Sequence, residues 1–462
     1  MKKRGKYIVA AVLFVAVFAI GALFQNFTGI MQGRNALFLL TGDYFRETFA
    51  GRWPLSNILA SFFIQFYDIP MVGPLLNALV VTLIFFLFHF FLQRIKAHFP
   101  IPEAVIIASV FWVLAARAET PILLYRMLII SSIHAFAGLF LKKKESTGLR
   151  KWEIAVIGVV IIGAALFVSL GKNIRSTETT AEVQHAAWKG EWKKVLEIVT
   201  PESSEKEPKL MPYAFLALGY TGELGERLFS YPIRGVEDFD MEEVHTVEGC
   251  YFNSILNKCM GNYNEAIHHI FQYSCHFPLG TTHFSLSQLI RYNHSLGNFT
   301  MMRKYAQILS HSPRYFGSAR RLLKRIEGAQ DSIPPAGHLS HEAHTTTNNT
   351  PYDLLQLSLA GINSGIAQER YMCYMLLTGD LKSFVEAFSI YEWQRIPRHY
   401  EEALLIAGVD PRVHGVSPET EQRFKQLSKV MAQMDVITLD LMTKGTFWNY
   451  YLHNQLEGIL SQ

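Results

Sequence analysis

The first 171 residues contain a series of long apolar runs, and this feature constrains the fold more than any other in the sequence. About 20 consecutive apolar residues are enough for a helix to cross the hydrocarbon of a bilayer. Because the bilayer offers the backbone no hydrogen-bond partner, a single run of this kind must be helical. The sequence predicts five membrane-spanning helices, at residues 7–24, 71–92, 103–116, 121–141 and 154–170.

The positions of Lys and Arg predict which side of the membrane each loop occupies, because cytoplasmic loops are enriched in these residues. If residues 1–6 lie in the cytoplasm, five spans place eleven basic residues inside and four outside. The region after residue 171 then lies outside, which predicts a multi-pass bacterial inner-membrane protein with an extracytoplasmic (periplasmic) domain. Residues 55–69 are apolar but short for a span, so we expect a re-entrant or interfacial helix there.

A different pattern begins after residue 171, where short amphipathic segments are separated by Gly-x-(aromatic or Leu) turns. These turns start at Gly190, Gly222, Gly261, Gly297 and Gly379. The first four are spaced by 32, 39 and 36 residues, close to the ~34-residue period of tetratricopeptide repeats. One helical hairpin cannot bury its apolar face alone, so such hairpins must stack. The predicted fold class is all-α: a transmembrane helical bundle followed by a soluble, tetratricopeptide-like hairpin array.

These patterns divide the chain into four regions. Residues 1–171 form the transmembrane domain and residues 172–327 the helical repeats. Residues 328–350 are rich in Ser, Thr, Asn, Pro, Gly and His, which predicts a flexible linker or loop. Residues 351–462 are predicted to continue the helical array. Within them Ser417 and Pro418 form a typical helix start, with a capping hydroxyl and Pro at the first helical position.

Charge and motifs limit the kinds of partner and cofactor. Residues 1–171 hold 16 Lys/Arg and 7 Asp/Glu, whereas residues 172–462 hold 27 and 32. A mildly acidic soluble region argues against nucleic-acid binding. The sequence has no phosphate-binding Gly loop ending in Lys-Ser/Thr, no His-Glu-x-x-His and no Gly-x-Ser-x-Gly. We therefore predict no cofactor and favour a role other than catalysis, while an enzyme stays open.

Charged residues of the predicted outer loops are the candidates for a catalytic site. They are Asp43, Glu47 and Asp68 in the first outer loop, with Arg117, Glu119 and Arg126 near the outer ends of the third and fourth spans. Polyprenyl-linked membrane glycosyltransferases use such groups, an Asp binding metal or acting as base and an Arg holding phosphate. Alternatively, these groups pair with one another and tie the loop to the bundle. Since no metal-ligand spacing is present, we predict no metal site.

All four cysteines lie after residue 171, without a Cys-x-x-Cys spacing that would indicate a zinc or redox site. A hairpin turn at Gly261 would place Cys250 and Cys275 opposite each other across its open end. In an oxidising compartment these two residues could form a disulfide. The alternative is a pair of buried free thiols.

Two groups of segments resemble a known family. The first comprises GDYF at residues 42–45, WPL at 53–55 and FIQFYDIP at 63–70; the second comprises IPRHYEEAL at 396–404 and GTFWNYY at 445–451. Both resemble an uncharacterised domain-of-unknown-function family of multi-span membrane proteins in Bacteroidetes, whose members carry tetratricopeptide-like C-terminal regions. The resemblance covers most of the chain. It implies an inner-membrane location and no particular activity.

The sequence favours a membrane-anchored interaction scaffold, in which the extracytoplasmic helical array binds another envelope protein. Helical arrays offer extended surfaces and usually perform no chemistry themselves. The alternative is an enzyme resembling a lipid-linked sugar transferase that uses the outer-loop cluster around Asp43. The predicted partners are the lipid bilayer and an envelope protein, without nucleic acid.

Overall fold

The chain folds entirely into helices and connecting turns within the part that the structure describes. The structure, a computed structural model, describes residues 4–95, 98–118, 120–141, 149–241, 245–329, 349–360, 364–433 and 436–460. Twenty-five α-helices and no strand occur in these ranges. The all-α prediction is confirmed for them, whereas most of the predicted linker at 328–350 lies outside the described residues.

Eight helices make up the apolar N-terminal part. Their bounds are α1 Gly5–Phe24, α2 Asn26–Asn35, α3 Gly42–Ala50, α4 Pro54–Ile64, α5 Val72–Arg94, α6 Pro100–Ala116, α7 Ile122–Gly138 and α8 Lys151–Leu170. Among the described residues, α1, α5 and α8 are long and apolar enough to cross a membrane, at 20, 23 and 20 residues. Helices α6 and α7 correspond to two further predicted spans but are 17 residues long. Three of the five predicted spans therefore meet the length that a crossing requires.

Prolines lie at the N-terminal ends of α6 and α7. Pro100 is the first residue of α6, and Pro121 immediately precedes α7. Proline lacks a backbone N–H and restricts the residue before it, so it is common at the first turn of a helix and rare within one. Helix α6 therefore begins at its proline, and α7 begins one residue after its proline.

The apolar helices bury one face and expose another that is equally apolar. Leu13 of α1, Val81 of α5 and Ile161 of α8 are buried in a shared core. On the opposite faces Val159 is 71% and Ile8 63% exposed. Soluble helices place polar residues on their exposed face, so this all-round apolar character is compatible with helices that face lipid. Helix α5 is central, in contact with α1, α2, α6 and α7.

Seventeen described helices follow, most of them short. Their bounds are α9 Lys172–Lys189, α10 Trp192–Ile198, α11 Pro201–Lys206, α12 Met211–Thr221, α13 Leu224–Arg227, α14 Val247–Cys259, α15 Tyr263–Cys275, α16 His283–Ser295, α17 Phe299–Leu309, α18 Phe316–Ala329, α19 Thr350–Leu359, α20 Ser364–Thr378, α21 Leu381–Phe388, α22 Arg398–Ile406, α23 Pro418–Ala432, α24 Val436–Thr443 and α25 Phe447–Leu460. As predicted, α23 begins at Pro418 with the Ser417 hydroxyl accepting a hydrogen bond from the backbone N–H of Thr420.

The five predicted glycine turns each separate two of these helices. Their backbone φ angles are +76° at Gly190, +73° at Gly222, +81° at Gly261, +68° at Gly297 and +71° at Gly379. Positive φ ends a helix by turning the chain out of its axis, and glycine adopts it without steric penalty. The hairpin turns are thus present at the expected residues. Tetratricopeptide geometry itself stays a prediction.

The described residues fall into two compact units. The first contains residues 1–185, 277–294 and 298–334, and therefore holds the apolar helices together with α16, α17 and α18. The second contains residues 186–276, 295–297 and 335–462. The first unit thus includes chain from far beyond residue 171, the predicted end of the transmembrane domain.

Candidate functional site

Asp43 and Glu47, two of the predicted site residues, lie on the surface of α3. Thr41 caps this helix by accepting a hydrogen bond from the backbone N–H of Tyr44 at 3.3 Å. Asp43 Oδ1 lies 3.7 Å from Arg46 Nη1, one turn along the helix, and the two side chains are 86% and 83% exposed. Ion pairs this exposed are screened by water and contribute little to stability.

Arg117 and Arg126 make their contacts elsewhere. The Arg117 guanidinium lies 5.2 Å from the centre of the Phe167 ring of α8. Arg126, on α7, has a buried Nε without a hydrogen-bond partner in the described residues. Glu119 lies outside the described residues. Across the described ranges, no hydrogen bond or ion pair joins members of the predicted cluster to one another, so the sugar-transferase role stays a prediction.

Asp68 belongs to a polar site that the sequence did not predict. Its carboxylate accepts hydrogen bonds from Arg314 Nε at 3.2 Å and Nη2 at 3.1 Å, one to each oxygen. The Tyr315 hydroxyl donates to the same carboxylate at 3.3 Å. Next to it the Ser312 hydroxyl donates to Gln65 Oε1 at 2.9 Å. Bidentate Arg–carboxylate pairs are among the stronger polar contacts in proteins.

Close backbone packing fixes the turn that carries Asp68. A Cβ at Gly33 of α2 would lie 2.2 Å from the backbone nitrogen of Asp68, so only glycine permits this approach. The Tyr67 hydroxyl donates to Asn77 Oδ1 at 2.6 Å and lies 3.0 Å from the Tyr125 hydroxyl. The turn is therefore held by α2, α5 and α7 at once.

His283 completes this site on the side of α16. Its ring stacks on Tyr315, with centroids 3.5 Å apart and planes 3° from parallel. Burial, together with the positive charges of Arg314 and Arg34, lowers the pKa of His283 to about 3. Burial and the Asp68 carboxylate raise the pKa of Tyr315. Near neutral pH the imidazole and the phenol are both uncharged, so neither is poised for general acid–base chemistry.

A second buried polar site, in the second unit, joins the two late segments of the family resemblance. The fully buried Glu402 carboxylate lies 2.9 Å from Arg398 Nε, His399 Nδ1 and the backbone nitrogen of Phe447. The Trp448 indole N–H donates to the Glu402 carbonyl at 2.9 Å. Every donor around this carboxylate belongs to α22 or to the start of α25. The site thus packs one helix against the other and leaves the carboxylate no free oxygen for chemistry.

Glu369, on α20, is a half-buried carboxyl with a raised pKa. Burial raises its pKa to about 7, partly offset by hydrogen bonds from the backbone N–H groups of Leu224 and Gly225. Nearby, the Cys373 sulfur lies 3.6 Å from the Tyr400 hydroxyl. Burial raises the pKa of both these groups, so the thiol is not the thiolate that nucleophilic catalysis requires.

The predicted disulfide partners are both free thiols in this structure. Cys250 is buried and its thiol donates to Gln272 Oε1 at 3.9 Å, whereas Cys275 is exposed. Burial raises the pKa of Cys250, and the neighbouring Cys275 adds to the shift. A Cys250–Cys275 disulfide stays a prediction.

One small cavity lies among the apolar helices. A cavity of about 30 Å³ lies between α1, α2, α5 and α6, next to Gln25, Thr28, Asn77 and Trp112. Its volume suits about one or two water molecules. In the described ranges no three His, Cys, Asp or Glu side chains converge as metal ligands.

Comparison with known proteins gives a family over the length of the chain. A family described as a family of unknown function, DUF6057, matches residues 1–170 and 115–454. Neither a curated protein nor a solved structure matches the chain. The resemblance to an uncharacterised family is thereby confirmed in its coarse form, without the expected taxonomic group. The chain belongs to DUF6057, a family of unknown function.

Proposed function

We propose that this protein is a membrane-anchored interaction scaffold. Its apolar N-terminal helices hold it in a bacterial inner membrane with five spans, and its extracytoplasmic helical region binds another envelope protein. The observation that carries the proposal is the polar site at Asp68. This site joins the segment that precedes α5 to α17 and α18, which follow more than 200 residues later.

A second contact supports the same coupling. The Glu178 carboxylate of α9 accepts hydrogen bonds from the backbone N–H groups of Phe27 and Thr28 at 2.8 and 2.9 Å, at the start of α2. A carboxylate is stabilising there because the first N–H groups of a helix lack intrahelical partners. These contacts fix α9, α17 and α18 to the apolar helices of the first unit.

Five spans are compatible with the lengths of α6 and α7. At a rise of about 1.5 Å per residue, 17 residues cover about 25 Å, a few ångströms short of an average hydrocarbon core. Local thinning of the bilayer and flanking polar residues accommodate such a mismatch at modest cost. An odd number of spans, with the basic N-terminus inside, is the arrangement that the positive-inside rule favours.

Helix α24 offers the best surface for a protein partner. Ile437 is 77% and Leu441 73% exposed, and they lie four residues apart on one helix face. Pairs at this spacing are neighbours on the helix surface. When a partner covers two exposed aliphatic side chains, the removal of their apolar surface from water lowers the free energy of the complex. This face is therefore a candidate contact.

Photo-cross-linking in the native membrane tests the proposal. A photoreactive residue is placed at Ile437 and, as a matched control, at the exposed Lys429 of α23. We expect a discrete adduct with an envelope protein from position 437 that the control lacks and that the Leu441→Ser variant weakens. The absence of any adduct, or the same adducts from both positions, would contradict a scaffold role for this face.

A further inference from the structure

A strong local concentration of positive charge lies on α17 and α18. Residues 299–329 contain seven Lys/Arg and one Asp/Glu, although residues 172–462 as a whole are acidic. Four of these seven basic residues lie close together in α18: Arg320, Arg321, Lys324 and Arg325. We call these four residues the basic face.

The basic face is continuous, and the exposed Glu327 lies beside its edge. With about 100° between successive residues, positions 320, 321, 324 and 325 span about 140° of the helix surface. All four side chains are exposed, while Ala319 and Ile326 on the other side are buried. Within the described residues none of the four forms an ion pair, in contrast to Lys425, which pairs with Glu421 at 2.6 Å. Like charges four residues apart destabilise a helix. A negatively charged partner outside the helix would therefore stabilise this arrangement.

The position of α18 indicates where that counter-charge comes from. The helix begins one residue after Tyr315, which together with Arg314 binds Asp68. Asp68 in turn lies four residues before the 23-residue apolar helix α5. The backbone N–H of Leu40 also donates to the His311 carbonyl at 2.9 Å. The basic face therefore starts at the end of an apolar, membrane-crossing helix.

Exposed aromatic and aliphatic side chains lie at the start of α18 and along the segment that leads to α5. Phe316, at the start of α18, lies under the Arg320 guanidinium at 4.0 Å and is 42% exposed. Trp53 and Met71, on the segment that leads into α5, are also exposed. Tryptophan is enriched where hydrocarbon meets headgroups, and Arg over an aromatic ring keeps its charge while its stem covers apolar surface.

We propose that the basic face of α18 binds the headgroups of anionic phospholipids at the surface of the membrane that holds the apolar helices. Each Lys or Arg near an anionic bilayer gains attraction that falls off within a Debye length of about 8–10 Å. At about 1.5 Å per residue, Arg320 and Arg321 lie about 6–8 Å along the helix from Phe316, within that length, and Arg325 lies about 14 Å from it. The anchor keeps lipid permanently adjacent, whereas an acidic protein would have to be recruited.

A quenching experiment on the reconstituted full-length chain tests this proposal. A fluorophore is attached at Gly328→Cys, one turn beyond Lys324 on the same face, where a side chain meets open space. Exposed Cys275 is replaced by Ser so that it takes no label. Nanodiscs of phosphatidylcholine, with or without phosphatidylglycerol, carry a trace lipid with a quencher on its headgroup.

We expect stronger quenching when phosphatidylglycerol is present, and its loss as salt rises to about 0.5 M. Replacing the four basic residues by Gln removes the dependence on phosphatidylglycerol. A matched control replaces four exposed basic residues of the second unit, Lys193, Lys206, Arg412 and Lys429, and keeps it. The ratio of lipid-bound to unbound basic face, read from the quenching in the anionic disc, falls about fivefold for each charge removed near the surface.

Three results would overturn the proposal. They are equal quenching in both kinds of disc, quenching that survives neutralisation of the basic face, and equal loss in the control. The salt titration uses the unmodified basic face, so it tests the lipid proposal even if the neutralised chain folds poorly. If an acidic protein cross-links to these four residues and the quenching does not depend on lipid composition, the basic face binds that protein and the lipid assignment is wrong.

Discussion

Asp43 and Asp68 were assigned from the sequence to one cluster, yet they have opposite environments. Asp43 lies on an exposed helix face, with an equally exposed arginine beside it. The Asp68 side chain is only 14% exposed and accepts three hydrogen bonds from two residues. Sequence distance cannot separate these cases, because the groups that bind Asp68 lie some 246 residues away. The two residues therefore form a natural pair for mutation.

The Asp68→Asn variant is expected to lower the free energy of unfolding by about 1–3 kcal/mol, because it removes the charge from a partly buried bidentate pair. Thermal unfolding of the full chain in detergent, followed by circular dichroism, measures the change. Asp43→Asn serves as the control and should leave the transition where it is. The opposite ranking would show that the Asp68 site is not a joint. Loss of an envelope glycan in Asp43→Asn at normal protein level would instead favour the transferase alternative.

Glu369 gives the chain a specific dependence on pH. Its pKa in the folded protein is about 7, above the ordinary value of 4.5, so the folded state binds the proton more tightly than the unfolded state does. The stabilisation is complete below about pH 4.5 and is lost as the pH rises through about 7. The total loss is of order 3 kcal/mol. Glu369→Gln should remove this part of the pH dependence.

Unfolding temperatures between about pH 5 and 8 would show the effect as a smaller slope in Glu369→Gln than in the unmodified chain. The exposed Glu386→Gln of the neighbouring helix α21 is the control and should keep the original slope. If both variants behaved like the unmodified chain, the Glu369 carboxyl would not titrate near neutral pH.

Helix ends are the part of this fold that local sequence determines most directly. Gly379 lies between α20 and α21 at a φ of +71°, and the position that a Cβ would take is free of neighbours. Gly365 is in the first turn of α20, at ordinary helical φ and also in open space. Adding the same methyl group at both positions therefore isolates the backbone requirement from packing.

We expect Gly379→Ala to lower the free energy of unfolding by roughly 1–2 kcal/mol, because an L-residue is strained in the left-handed region. Gly365→Ala should leave it unchanged or raise it by up to about 1 kcal/mol, since Ala favours the helix and loses less entropy on folding. Thermal unfolding of the two variants in parallel measures both effects. Equal changes in the two would mean that the turn at Gly379 is not specified by its glycine.

The same contrast between local and distant information explains what the sequence predicted. Apolar runs, glycine turns and the Ser417 cap act within a few residues, and the structure has helices and turns where they were expected. Helix α6 begins at Pro100, three residues before the predicted span, whereas α7 ends at Gly138, three residues before the predicted end. The Asp68–Arg314 and Glu402–Phe447 contacts were missed, since a single sequence does not show which distant residues meet.

For the whole molecule, the two compact units do not correspond to a simple division into an N-terminal anchor and a C-terminal domain. The first unit contains the apolar helices and also α16 to α18, with the basic face. The proposed membrane attachment, the Asp68 joint and the proposed lipid contact therefore belong to one unit. The second unit holds the Glu402 site, α24 and all four cysteines. Partner binding through α24 would thus be a property of the second unit.

The side of the membrane on which the second unit lies can be read from Cys275. It is exposed, whereas Cys250, Cys259 and Cys373 are buried, so a maleimide should modify the folded chain at this residue first. With five spans and the N-terminus inside, we expect a membrane-impermeant maleimide to label intact cells without prior reduction. Cys275→Ser is the control and should abolish labelling.

Labelling only after reduction would indicate that the disulfide with Cys250 forms outside the cytoplasm. Labelling only after the inner membrane is permeabilised would place the second unit in the cytoplasm, and the five-span topology would then be wrong.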